Sequence, residues 1–134
     1  MFVPLGNITG YHASLTFQPI AASTVTKGQS RGGNPLGIKE VAQTWLVLGC
    51  GWSLEADDKT ALATSTKFLN KVDEVAASKG LSFTFLYLND AAMDQRPIDS
   101  YGHENVQRLK KISREYDPDG VFQKLAKGGY KLGS

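Results

Sequence analysis

The residues best suited to chemistry gather late in the sequence. Tyr87, Asn89 and Asp90 close an apolar run that begins at Leu81 and carries Phe83 and Phe85. Side chains alternate along an extended chain, so Phe83, Phe85, Tyr87 and Asn89 would share one face. An aromatic surface that ends in a hydroxyl and a carboxamide is the mixture small-molecule sites use, apolar walls with a few orienting polar groups. On this reading Tyr87, Asn89 and Asp90 are the catalytic candidates, and Phe83 and Phe85 are the wall. Trp45 and Trp52 could extend that wall. The plainer account makes Phe83 and Phe85 ordinary core, and leaves both readings open for Tyr87 and Asn89.

His12 is a further catalytic candidate, because an imidazole titrates near neutral pH and can act as a general base. It falls on the polar side of an alternating segment, where solvation is the simpler role. His103 stands beside Glu104 at a helix start and reads as surface. Cys50 is the only cysteine, which excludes an intramolecular disulfide and reads as a buried thiol unless folding brings it to His12. Two histidines and one cysteine without ligand spacing give no expected metal site. Asp90, Asp94 and Asp99 fall in a loop, where one could edge a pocket. The stretch Lys27-Gly28-Gln29-Ser30-Arg31-Gly32-Gly33-Asn34-Pro35 invites a phosphate-cradle reading, but it fits neither known glycine fingerprint and reads as mobile loop.

The elements that must position these residues follow from periodicity. Tyr11–Gln18 alternates as a half-buried strand ended by Pro19, and Gln43–Trp52 is a denser apolar run expected to be buried on both faces. Ser53 is placed to cap a helix whose stripe runs through Ala61, Ser65, Phe68, Val72 and Val75, ending at Lys79-Gly80. Leu81–Asp90 makes a third strand. A second helix, capped by Ser100, carries Val106, Leu109, Ile112 and Tyr116 until Asp117-Pro118 stops it. The expected fold is α+β: a small antiparallel sheet in the order strand, strand, helix, strand, helix, with both helices on one face. Three long apolar strands leave exposed edges, so completion by a homodimer is expected.

The chain has 134 residues, 41% of them apolar, and carries a net charge of +2 with interspersed signs. One domain over residues 1–134 is the natural reading, and neither nucleic acid nor a membrane surface is an expected partner. Met1-Phe2-Val3-Pro4 lacks the form of a signal peptide, no run is long enough to span a bilayer, and a cytoplasmic location is expected. Gly133-Ser134 reads equally as native or as a cloning remnant.

Several blocks in order resemble the carboxyl-terminal, substrate-side segment of fungal berberine-bridge-like oxidases of the vanillyl-alcohol-oxidase group. They are Leu15-Thr16-Phe17-Gln18-Pro19-Ile20, Gly32-Gly33-Asn34-Pro35-Leu36-Gly37, Trp52 ahead of Asp57-Asp58, and Tyr87-Leu88-Asn89-Asp90. Ser100-Tyr101-Gly102, Glu104-Asn105-Val106 and Tyr116–Gln123 complete the set. The resemblance implies a relation to two-electron oxidation by bound FAD, with the flavin held by an amino-terminal domain that these blocks do not include. It implies flavin-side positions at Asn89, Tyr101 and Asn105, and adds Tyr101 to the substrate-binding candidates. Asp90 stands where many relatives carry tyrosine. Two or three polar contacts cannot hold a dinucleotide, so no stable FAD is expected. The expected function is a cofactor-free isomerase, cyclase or dehydratase acting on a small apolar natural product. The alternatives are a non-catalytic accessory protein or fragment, or the carboxyl-terminal part of an oxidoreductase completed by another chain.

Overall fold

The computed structural model describes residues 5–133; the amino-terminal Met1–Pro4 and the final Ser134, on which two sequence expectations fell, lie outside the described residues. The fold is α+β. Strands β1 (His12–Ile20) and β2 (Gln43–Gly51) pair antiparallel over their full lengths, with Leu15 opposite Leu48 and Phe17 opposite Leu46. Four helices accompany them: α1 (Ala22–Gln29), α2 (Asp58–Ser78), α3 (His103–Tyr116) and α4 (Val121–Lys124). The packing divides into two compact units. The first contains the strands and α2, within residues up to Ile20 and Gln43–Phe83; the second contains α1, α3 and α4, within Ala21–Ala42 and Thr84 onward.

In the first unit, α2 covers part of β2. Ala61 is fully buried, and Ser65 one turn later bonds the Cys50 thiol of β2 at 3.3 Å while its hydroxyl reaches the Ala61 carbonyl at 3.0 Å. A small residue at 61 lets the helix approach the strand closely, which the expected stripe anticipates. The helix does not start on a Ser53 cap. A single 3₁₀ turn, Glu55–Asp57, precedes it, and the Ser53 amide instead donates to the Thr9 carbonyl at 3.0 Å. The chain leaves the helix through Lys79 and a left-handed Gly80, as the sequence implies.

Strand β1 departs from expectation on both sides. Its alternation predicts one buried face, yet residues 12–19 are all exposed and Ile20 is half-buried, with Leu15 at 42% and Phe17 at 65% exposure. The ladder also runs through Pro19 to Ile20. Proline tolerates this because β1 is an edge strand, where an amide is not needed on the outer side.

The third strand is not formed. Residues 81–87 are irregular and 88–90 form a turn, so the sheet has two strands among the described residues. Alternating aromatics favour extended backbone, but a strand exists only where an edge receives it. Here the segment passes into the second unit. There the Leu86 amide donates to Ser100 Oγ at 2.9 Å, and that hydroxyl donates to the Pro97 carbonyl at 2.6 Å. Ser100 is therefore a clasp between two segments and not the cap of α3, which begins after Gly102. The α3 stripe is rotated as well: Asn105, Val106, Leu109 and Ser113 are half-buried, while Ile112 and Tyr116 are exposed. Asp117 ends α3 and starts α4, its carboxylate accepting from the Val121 and Phe122 amides at 2.7 and 3.0 Å.

Candidate functional site

The second unit holds a cleft of about 400 Å³ lined by Leu36, Tyr87, Leu88, Asn89, Ile98, Tyr101, Leu109 and Leu132. That volume lies toward the lower end of the roughly 300–1,000 Å³ typical of small-molecule sites. Its floor is rigid. Pro97 is fully buried, and Ile98 and Tyr101 are 8% and 4% exposed in a single 3₁₀ turn, Ile98–Tyr101. The Phe85 and Tyr101 rings stack at 5.8 Å between centroids and 21° between planes. At the opening, the Asn89 amide donates to the Tyr87 hydroxyl at 3.0 Å, and Asn89 itself is exposed.

The stretch read as mobile loop leads into the cleft through Leu36, the residue that follows it. Lys27–Gln29 are the last turn of α1, and Asn34 Oδ1 accepts from the Leu36 amide at 3.0 Å to fix a turn. Gly37, at φ +69°, then passes against the Tyr101 carbonyl and the Asn105 amide, where any side chain would collide with backbone. Asn105 completes the junction by donating to the Tyr101 carbonyl at 2.9 Å. Leu36 enters the cleft as a consequence of this close approach. At the other end of the sequence, the Tyr130 hydroxyl reaches the Ala91 carbonyl at 2.7 Å and the Ala92 carbonyl at 2.5 Å. The Leu132 amide donates to Gln123 at 3.0 Å, placing Leu132 in the lining.

The Tyr101 hydroxyl is the electrostatic anomaly of the site. It is buried without a hydrogen-bond partner among the described residues. Burial raises its pKa above the ordinary value of 10.0, the Leu88 backbone beside it opposes that rise, and Tyr87 adds to it. A backbone contact with Leu88 favours the charged form. Even if Leu88 donated, the hydroxyl's own proton would meet no acceptor. A buried hydroxyl left in this state costs about 1–3 kcal/mol.

Among the sequence candidates, the structure brings Tyr87, Asn89 and Tyr101 to the cleft, with Phe85 stacked behind Tyr101. Asp90 lies exposed in the turn that follows, its amide bonded to the Tyr87 carbonyl at 3.0 Å. Phe83, Trp45, Trp52 and His12 belong to the first unit. There, the Trp52 indole donates to Asp58 at 2.6 Å and fixes the start of α2, while the Trp45 indole donates to Gln43 at 3.1 Å. His12 is exposed, with Nδ1 3.3 Å from the Gly10 carbonyl. Among the described residues no three His, Cys, Asp or Glu side chains assemble as a metal centre requires. No described helix is long and apolar enough to cross a membrane. Leu36, Ile98, Leu109 and Leu132 are lining residues the sequence reading missed. Gly37 was the available signal, since a glycine inside the asparagine-proline turn marks a close backbone approach.

Most of the cleft's residues, all but Leu36 and Leu132, fall within a family match. Residues 84–124 match the family described as "Berberine and berberine like". The chain carries a berberine-like segment. Over 98% of its length it is 38% identical to the bifunctional solanapyrone synthase of Alternaria solani, covering 26% of that protein. It is 39% identical to the FAD-dependent monooxygenase tpcD of Cochliobolus heterostrophus and 42% identical to the FAD-dependent monooxygenase FUP4 of Fusarium proliferatum, each over 88% of its length and covering 23% of the relative. The chain thus spans about a quarter of the length of these curated relatives. No solved structure matches it.

The family implies FAD, and the berberine-like segment fits only part of that group. Asn89 and Tyr87, paired and accessible at the cleft mouth, suit one polar edge of a flavin ring. The glycine-rich stretch does not suit a pyrophosphate, because it leaves the carboxyl end of α1. That end presents carbonyls and the negative pole of the helix dipole, the reverse of what phosphate requires.

Proposed function

We propose that this berberine-like chain acts as the substrate-side segment of an FAD-dependent oxidoreductase of fungal secondary metabolism, working against a separate or adjoining flavin-holding portion. The observation that carries the reading is β1, whose apolar residues Leu15 and Phe17 are exposed on a strand that has a partner on one side only. The total accessible surface is 10003 Å². Two separately folded compact halves of this chain would expose roughly 8,300 Å² by the scaling of surface with mass. The excess is of the order buried in large permanent interfaces. Asn89 and Tyr87 would meet the ring edge of the flavin, which supplies two-electron redox chemistry when bound. The cleft's apolar residues would orient the substrate and exclude water from it.

A second reading has its own support. The cleft is lined within one unit of this chain, and a buried hydroxyl stands in its wall. This favours a cofactor-free isomerase, cyclase or dehydratase that holds an apolar intermediate, with Tyr87 and Asn89 as polar groups and orientation as the main source of rate. A homodimer would then cover β1.

The chain purified from its native cells separates the two. A yellow complex with flavin absorbance and a mass well above 14.5 kDa is expected on the first reading. A colourless monomer or dimer that converts an apolar intermediate would replace it with the second.

A further inference from the structure

One wall of the cleft is held differently from the others. Ile98 and Leu109 stand on helical turns and Leu36 beside the Gly37 junction, whereas Leu132 stands on residues 125–133, which follow α4 without helix or strand. Only Tyr130 and Leu132 of that segment are half-buried; the rest is exposed. Among the described residues, its hydrogen bonds beyond the α4 region come from one atom. That atom is the Tyr130 hydroxyl, which reaches the Ala91 and Ala92 carbonyls just past Asn89 at the cleft mouth. The remaining bonds fold back on α4, from Lys131 Nζ to the Phe122 and Ala126 carbonyls at 3.1 and 2.9 Å and from the Leu132 amide to Gln123. Gly128 and Gly129, at φ +76° and +66°, separate Tyr130 from α4, and no other atom lies within 4 Å of where a Cβ would stand on either. Glycine serves no close approach there, unlike Gly37; it gives the backbone a bend that other residues rarely adopt.

We propose that residues 125–133 are a strap closing one side of the cleft, with Tyr130 as its latch, and that release of the latch sets how fast an apolar ligand enters and leaves. The inference rests on reading the cleft as a small-molecule site, and it adds the way that site opens. A hydrogen bond that water can replace contributes little net stability, so the latch opens without unfolding the walls around it. Opening at the Gly128-Gly129 bend carries Leu132 out of the lining, while Ile98 and Tyr101 stay fixed by their burial. Tyr130 does not line the cleft; it is a positioning residue that acts through Leu132.

The test follows the neutral apolar dye Nile red by stopped-flow fluorescence with the full chain and with Tyr130→Phe. The variant is expected to release the dye about 5-fold faster, the yield of roughly one hydrogen bond, and to take it up faster as well. Equal rates, or faster release with unchanged uptake, overturn the latch and leave the cleft as a binding site. The natural chain gives a second measurement that stands even if the variant folds poorly. Bound dye should slow hydrogen exchange of the Leu132 amide several-fold, as followed by NMR, and unchanged exchange overturns the strap. Failure of Nile red to bind, or binding that Leu36→Glu leaves undiminished, overturns the cleft reading and the proposal together.

Discussion

The two units differ in where their few buried side chains sit. The second buries Val25, Pro97, Ile98 and Tyr101 and carries a cleft, while Met93, Tyr116, Phe122 and Leu125 stay exposed on its helices and loops. The first buries little beyond Ile8, Ala61 and the amide of Gln43, while Leu15 and Phe17 stay in solvent. A domain of this size cannot discard apolar strand surface cheaply, since each buried side chain of that kind contributes about 1.5–3 kcal/mol. The difference lies in placement: the buried residues of the second unit accompany a cleft, whereas the exposed Leu15 and Phe17 of the first lie on a paired strand.

The sharpest way to break this contrast is at Gly37. Gly37→Ala forces a side chain into left-handed backbone and against the Tyr101 carbonyl, and should cost about 2 kcal/mol or more. Urea unfolding should show that loss, together with weaker binding in the cleft. Ser100→Ala removes the clasp that satisfies the Leu86 amide and the Pro97 carbonyl. It should cost about 1–3 kcal/mol, read as a lower unfolding midpoint.

Tyr101 gives a pH signature of smaller size. Its pKa is raised in the folded state, so the unfolded chain releases this proton first as pH climbs past 10.0. The associated stability is full below that value and declines above it. Natural protein should therefore lose stability more steeply above pH 10 than Tyr101→Phe, in thermal melts at stepped pH. Phe17→Ser should do least, within about 0.5 kcal/mol for the isolated chain, because nothing there covers the ring. A much larger loss on the isolated chain would mean that a second copy already covers β1, and light scattering would show it.

Much of the fold was legible because local signals and packing agree. The strand Gln43–Gly51, the long helix to Ser78 and the glycine after it follow from apolar runs and end signals that tertiary structure does not override. The third strand failed for want of an edge: alternation in Phe83, Phe85 and Tyr87 specifies an extended face but not a partner for it. Ser53 and Ser100 were chemically suitable caps, yet a 3₁₀ turn separates Ser53 from its helix and the Ser100 hydroxyl serves the distant Leu86 amide, which spacing along the chain cannot reveal. In the site, Tyr87, Asn89 and Tyr101 could be named from residue type and family likeness. Leu36, Leu109 and Leu132 could not, since three leucines far apart in sequence meet only through the Gly37 approach and the Tyr130 anchor.

The order of segments has a consequence for how such a chain can be inherited. The two strands pair across Ala21–Ala42, and those 22 residues belong to the second unit. The polypeptide thus leaves the first unit, returns to it, and leaves again after Phe83. No single cut, by protease or by recombination, separates one unit from the other. Cleft and open sheet must be passed on, exchanged or lost together, so a change in what the cleft accepts travels with the surface that the sheet offers.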